Sequence, residues 1–492
     1  MVLKRETAGR EAAAVPPIHS LQFAKKARGG YNILRRWLKW TIFGEVSRQL
    51  MAIATFHFPR GFLWGAATSA TQVEGGQTNS NWWAWQQEPG RILHDHKIGA
   101  ACDWWNGRWR EDFDRAAEGG QNAHRLSIEW SRVQPAPDRW DEHALDRYRE
   151  MVRGLVERGM TPLVTLYHFG HPQWLDEAGG WENERAVEWF EKYARKVVDA
   201  LREYVTLWVT LNEPNLVVIF GYLNGVWPPG KQDLGAGLKA AGNLLRAHGA
   251  AYRAIHTLQP QSRVGFAHHY RGFQPARGWN PLDRTITRLY NTLFNDLFVR
   301  AIATGVMRYP AGRLRLPEIK GAQDYLGINY YTREKVAFNL LRKDDFFARR
   351  YYPQGAALSE GGFIANVPEG LFDALQWGKS YGLPLIITEN GINDQDDNLR
   401  PRYMIEHIHQ VWRAVNFNFP IKGYFHWTLV DNFEWERGWA QRFGLWELDP
   451  ETQVRRKRPS ADLYAEICRE NGISAEMVAR FAPALFPQMF PN

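Results

Sequence analysis

At 492 residues, 45% hydrophobic and 23% charged, the chain has an ordinary globular composition with ample material for a core, which excludes a disordered or fibrous polymer. A formal charge of +8 suggests a nucleic-acid partner only until the charge is located: residues 1–50 carry +7 of it and the remaining chain +1. No nucleic-acid partner is expected. Cys102 and Cys468 are too few for a disulfide framework and lack zinc-ligand spacing. No apolar run approaches the roughly 18 residues of a membrane span. The N-terminus also lacks a compact apolar stretch ending at a small-residue cleavage site. A soluble, cytoplasmic protein with free thiols is expected.

Residues 1–54 read as a basic extension. Within it Ile33, Leu34, Trp37, Leu38 and Trp40 fall on one helical face, opposite Arg35, Arg36 and Lys39. That pattern suits a membrane surface or a partner, so residues 31–50 are candidate contacts. The plainer reading is a dispensable extension ahead of a natural start at Met51. Residues 55–475 read as the main domain and residues 476–492 as a C-terminal tail.

From Phe58 onward, short apolar runs alternate with stretches of helical periodicity. Eight strands are predicted: Phe62–Ser69, Asn122–Ile128, Thr161–Tyr167, Thr206–Leu211, Arg263–Ala267, Tyr325–Ile328, Leu385–Thr388 and Gly423–Trp427. Helices are predicted between them, among others over Asp146–Arg158, Ala186–Tyr204 and Leu238–Leu258. Eight βα units argue for a single (β/α)8 TIM barrel of the α/β class. A doubly wound dinucleotide-binding sheet is disfavoured, because no Gly-x-Gly-x-x-Gly turn follows the first strand. The insertions around Arg333–Asn366 and Asn393–Arg402 are expected to be long barrel-top loops shaping access.

In such barrels chemistry gathers at the carboxyl ends of the strands. Read in order, those ends present Gln72 and Glu74, then Arg125, His168, Asn212 with Glu213, Asn329 with Tyr331, Glu389, and finally Trp427 leading to Glu434 and Trp435. Glu213 and Glu389 each stand where an apolar run stops, and two carboxylates so placed suggest an acid and a base. Tryptophan is abundant, at 23 residues. Most of these indoles are expected in the core, while a few suit the C–H-rich faces of sugar rings. No His, Cys and carboxylate cluster at ligand spacing proposes a metal, and no cofactor is expected.

Six segments carry a resemblance. They are Phe62-Leu-Trp-Gly-Ala-Ala-Thr-Ser-Ala-Thr-Gln-Val-Glu-Gly75, His124-Arg-Leu-Ser-Ile-Glu-Trp130, Thr210-Leu-Asn-Glu-Pro214, Gly327-Ile-Asn-Tyr-Tyr-Thr332, Ile387-Thr-Glu-Asn-Gly391 and Gly423-Tyr-Phe-His-Trp-Thr-Leu-Val-Asp-Asn-Phe-Glu-Trp435. In this order and at these spacings the chain resembles glycoside hydrolase family 1, the β-glucosidase family, from about Phe58 to about Ile467. The resemblance implies the (β/α)8 barrel and a retaining mechanism, in which carboxyl groups roughly 5–5.5 Å apart act as nucleophile and acid/base.

It implies that Glu389 is the nucleophile and Glu213 the acid/base, with Arg125, Tyr331 and Asn329 in the catalytic group. Arg125 and Tyr331 are expected to favour ionised Glu389. Glu213, in less charged surroundings, is expected to keep its proton longer. Gln72, His168, Asn212, Glu434 and Trp435 match the family's hydroxyl-binding residues, and Trp427 its stacking floor.

The expected partners are small β-glycosides or short oligosaccharides, with terminal β-glucosyl and also β-galactosyl or β-fucosyl residues. A sugar phosphate is disfavoured by the carboxylate of Glu434. A thioglucosidase is disfavoured because Glu213 is present. The alternative, a catalytically silent sugar-binding scaffold on the same barrel, is disfavoured because both glutamates are intact. Departures are Phe169, where many members have Trp, and His171, expected to be a packing residue.

Overall fold

The computed structural model describes residues 54–491, so the helical face predicted within Tyr31–Trp40 lies outside the described residues. Eight parallel strands close into a barrel: β1 Leu63–Ala67, β2 Ala123–Ser127, β3 Thr161–Tyr167, β4 Leu207–Asn212, β5 Arg263–Pro275, β6 Tyr325–Phe338, β7 Leu385–Asn390 and β8 Ile421–Trp427. Each strand pairs with its sequence neighbours, and β8 pairs with β1 to complete the ring. Long helices separate them, including Glu142–Glu157, Arg185–Leu201 and Leu234–Leu258. Side-chain caps from Asp141 and Asp233 start the first and third of these.

The strands are apolar on both faces because both faces are covered. Inward, Ala67, Ala123, Leu163, Val209, Ala267, Tyr325, Ile386 and Phe425 fill the barrel. Small and large residues complement one another there. A Cβ on Gly65 would meet the Phe425 ring at 2.8 Å and the Ala123 carbonyl at 2.5 Å, so the bulk of Phe425 requires glycine opposite it. Outward, Trp64 packs on Tyr424 and Tyr464 beneath the helical layer.

Two strands differ from expectation in length. β5 runs eight residues past Ala267 and β6 ten past Ile328, and the two stay paired from Gly265↔Tyr325 to Pro275↔Val336. The first part of the insertion expected as a loop from Arg333 is therefore strand, and it continues as an antiparallel pair with Ala348–Tyr351. The stretch from Asn393 is coil until helix Arg400–Asn416 begins. Carboxylates brace it: its own Asp394 accepts from the Leu399 and Arg400 amides, both at 2.8 Å, and Glu360 of the preceding insertion accepts from the Gln395 amide at 3.1 Å.

A short ribbon of Thr55–His57 and Gly472–Ser474 ties the start of the described chain to its end, and Phe56 stacks on Phe490 at 4.8 Å. Both cysteines are buried and unpaired. Among the described residues no helix is long and apolar enough to cross a membrane.

Candidate active site

A cavity of about 700 Å3 opens at the carboxyl ends of the strands. Its wall includes His168, Asn212, Glu213, Tyr331, Glu389, Trp427, Glu434 and Trp435, eight of the eleven residues anticipated above. Arg125, Asn329 and Gln72 stand behind that wall, each fully buried. The wall is held from the second rank by these three.

Local slips in strand pairing lie just before the two central glutamates. In β4 the register with β5 slips between Val209 and Asn212, and in β7 the register with β6 slips by one between Ile387 and Glu389. Ile386 and Thr388 both face the barrel interior, since Ile386 belongs to its core and Thr388 donates to Asn329 Oδ1 at 2.6 Å. Strict alternation would therefore turn Glu389 outward, and the slip brings it in. Glu213 stands just past β4 at φ 43°, a left-handed conformation rare outside glycine, with its amide fixed to the Ala267 carbonyl at 2.8 Å.

Glu389 is bonded at both oxygens. Arg125 Nη1 donates to Oε1 and the Tyr331 hydroxyl to Oε2, each at 2.6 Å. These are short charge-assisted bonds. Burial pushes the Glu389 carboxyl up to about 7, overriding the downward pull of Arg125 and Tyr331, while the like charge of Glu213 adds to the rise. The two donors act in the expected direction, but desolvation of a side chain 4% exposed outweighs them. Tyr331 is held far above its ordinary value by burial and by Glu389, so its hydroxyl remains a donor.

Glu213 meets an amide and an imidazole instead. Asn329 Nδ2 donates to its Oε1 at 2.7 Å, and His269 Nδ1 lies 3.0 Å from the same oxygen. One frame connects the two carboxylates: Asn212 Oδ1 accepts from Arg125 at 2.7 Å and from Asn329 at 3.1 Å. Arg125 thereby reaches Glu389, and Asn329 reaches Glu213, from a shared amide.

Around this pair lie the groups suited to hydroxyls. His168 Nε2 is 3.0 Å from Asn212 Nδ2, and its ring lies near-parallel to Trp427 and Trp435, at 6.0 Å from each. Burial, then Arg125, holds His168 well below its usual value, so it is neutral and its Nδ1 has no protein partner. Gln72 donates to the Phe433 carbonyl at 2.8 Å and to Glu434 Oε2 at 3.3 Å. Glu434, partly buried, is raised well above the carboxylate range by burial and by Glu436, Glu389 and Glu213.

Phe169, the departure from the family pattern, packs against Trp227 at 4.7 Å and Trp435 at 5.0 Å. His171 is buried outside the cavity wall, with ring nitrogens engaged by Asp176 at 2.8 Å and Tyr167 at 3.4 Å. Glu74 likewise pairs with Arg132 at 2.7 Å rather than facing the cavity.

Sequence reasoning missed His269, Trp227 and Glu436. Trp227 Nε1 donates to Glu436 Oε2 at 2.6 Å, and both line the cavity. His269 escaped because β5 was expected to end at Ala267. A signal for it existed in the alternation of Phe266, His268 and Tyr270, which continues the outward face of the strand.

Residues 54–473 match the family model described as glycosyl hydrolase family 1. Beta-glucosidase A of Thermotoga maritima is 34% identical over 447 residues, covering 85% of this chain and 98% of that protein. The cytosolic beta-glucosidase of Homo sapiens is 30% identical over 471 residues, covering 85% of this chain and all of that protein. Among solved structures, the beta-glycosidase from Pyrococcus horikoshii superposes with a TM-score of 0.81 at 36% identity, covering 87% of this chain and 98% of that one. With barrel, paired carboxylates and a likeness spanning residues 54–473 in agreement, the chain belongs to glycosyl hydrolase family 1.

Proposed function

We propose that the protein is a retaining β-glycosidase that releases terminal β-glucosyl residues, and also β-galactosyl or β-fucosyl residues, from small glycosides or short oligosaccharides. The observation that carries this reading is the pair Glu213 and Glu389 on one cavity wall, joined through Arg125, Asn212 and Asn329. A cavity of about 700 Å3 is of the right order for a sugar and part of its aglycone.

Glu389, ionised, attacks the anomeric carbon. The bond to the leaving oxygen breaks with its electron pair while Glu213 supplies the proton. In the second step Glu213 takes a proton from water, which attacks the same carbon and frees Glu389. Arg125 and Tyr331 hold the attacking carboxylate in place and spread its charge. Asn212, His168, Glu434, Gln72 and Trp435 are proposed to bind hydroxyls, and Trp427 to carry the ring face. Asn212 bonds both halves of the frame, so a sugar contact to it is placed to strengthen in the transition state.

The decisive measurement is NMR of the first-formed sugar during hydrolysis of an aryl β-glucoside. The β-anomer is expected. The α-anomer, or no turnover of aryl β-glucoside, β-galactoside or β-fucoside between pH 5 and 8, would defeat the proposal.

Residues 1–54 are proposed to be dispensable for turnover, since the described fold is tied together from Thr55 onward. Removing residues 1–50 is expected to leave kcat/KM unchanged within about 2-fold. A cytoplasmic location is proposed, supported by two unpaired buried cysteines and by the cytosolic human relative.

A further inference from the structure

His269 lies on the part of β5 that continues past the barrel. Parallel pairing sets it opposite Asn329 of β6, and the inward faces of these two strands bring both side chains to Glu213. Asn329 Nδ2 at 2.7 Å and His269 Nδ1 at 3.0 Å meet the same oxygen, Oε1. The imidazole has little freedom to leave. It stacks on Tyr331 at 5.7 Å with 19° between the planes, and Phe294 packs edge-on at 5.6 Å. Its side chain is 12% exposed, and it lines the same cavity as Glu213.

An oxygen accepting two N–H bonds has both lone-pair directions occupied, so a transferable proton on that carboxyl must sit on the other oxygen. We propose that His269 is a positioning residue for the acid/base. In its Nδ1–H tautomer it acts with Asn329 to hold Oε1 of Glu213 as acceptor, so that Oε2 alone carries the proton given to the leaving group. This inference rests on the glycosidase reading.

In the first step the C1–O bond breaks, its electron pair goes to the leaving oxygen, and that oxygen takes the Oε2 proton. The charge left on Glu213 is met at once by two N–H groups already in place, with no reorganisation. In the second step the water proton returns to Oε2, and His269 neither gains nor loses a proton in the cycle. The groups facing His269 are Glu213 from β4, Asn329 and Tyr331 from β6, Phe294, and Glu389 by way of Tyr331. Arg271, two residues along β5, is engaged by Glu334 at 3.1 Å.

A donor to the ionised form lowers a carboxyl's titration point, so losing it raises that point. A Glu213 that holds its proton more tightly is a weaker acid, and the basic limb of its pH profile moves upward. The test compares the full chain with H269F and H269N over glucosides ranging from 2,4-dinitrophenyl to alkyl leaving groups. For H269F, kcat/KM on phenyl and alkyl glucosides is expected to fall about 10–100-fold, with the dinitrophenyl substrate within about 2-fold. The basic limb should rise. H269N, whose amide nitrogen takes the place of Nδ1, should recover most of the loss. Equal loss on every leaving group, an unmoved basic limb, or H269N no better than H269F would overturn the role of His269 while leaving the glycosidase reading intact. Failure of the unaltered protein to hydrolyse any of these glucosides would sink both.

Discussion

Glu389 meets a guanidinium and a phenol, whereas Glu213 meets an amide and an imidazole. Both are buried carboxyls on one cavity, and a slip in strand register lies just before each. What separates them is the charge and direction of their partners. A full cation bonded to Glu389 makes its ionised form usable inside the protein, although burial still lifts the group to about 7. The amide and imidazole nitrogens both lie at one oxygen of Glu213, which leaves its other oxygen free to carry a proton. Two identical side chains thus become attacker and proton carrier by their surroundings, as pairs of titratable groups with unlike environments do in general.

The largest effect expected from breaking this contrast is in Glu389→Gly. Hydrolysis should fall by about 10^5-fold or more, as when a covalent nucleophile is lost. Added azide should restore turnover and give the α-glycosyl azide, because it enters from the vacated face. A β-azide would exchange the roles assigned to the two residues.

Glu213→Ala comes next. Substrates with poor leaving groups should lose about 10^2–10^4-fold in kcat/KM, and dinitrophenyl glucosides far less, because they need little protonation. Azide should here yield the β-glycosyl azide. A loss independent of the leaving group would remove the acid/base role.

Tyr331→Phe is smaller again, about 10–100-fold in kcat/KM, as expected for one hydrogen bond to a charged group. Its pH signature matters more than its size. Glu389 must be ionised to attack, so activity is retained above its titration point and lost as pH falls through it. With that point at about 7 in the free enzyme, the acid limb of kcat/KM should lie near neutrality rather than near the ordinary glutamate value of about 4.3. Removing the Tyr331 hydroxyl takes away a group that lowers the value, so the limb should move to higher pH. An acid limb below pH 5 in the unaltered protein, or a downward shift in Y331F, would contradict the account of Glu389.

Much of this contrast was legible in the chain. The apolar runs ending at Leu211 and Thr388 mark strands because a run apolar on both faces needs cover on both, and β4 and β7 are buried along nearly their whole length. The partnership of Arg125 with Glu389, 264 positions apart, was available only through the family resemblance. The extent of β5 and β6 was not legible. After Ala267 the residues turn polar and aromatic, and the two strands persist because each supplies the other's backbone hydrogen bonds, a tertiary fact. His269 was lost with that boundary. The sequence reading also expected a readily ionised Glu389, since it could name Arg125 and Tyr331 but not the depth at which they meet it.

The register slips before Asn212 and Glu389 bear on how the molecule tolerates insertions and deletions. A single-residue deletion at Thr388 would leave Leu385 through Ile387 in their places and the barrel closed, yet it would draw Glu389 back into the inward place of Thr388, one residue short of where Arg125 and Tyr331 meet it. Such a variant should fold and keep a carboxylate on the inner face, but hold it out of reach of its two donors and of the attacking position. Chain length at the tip of β7 is therefore as strict a requirement for chemistry as the identity of the glutamate it carries.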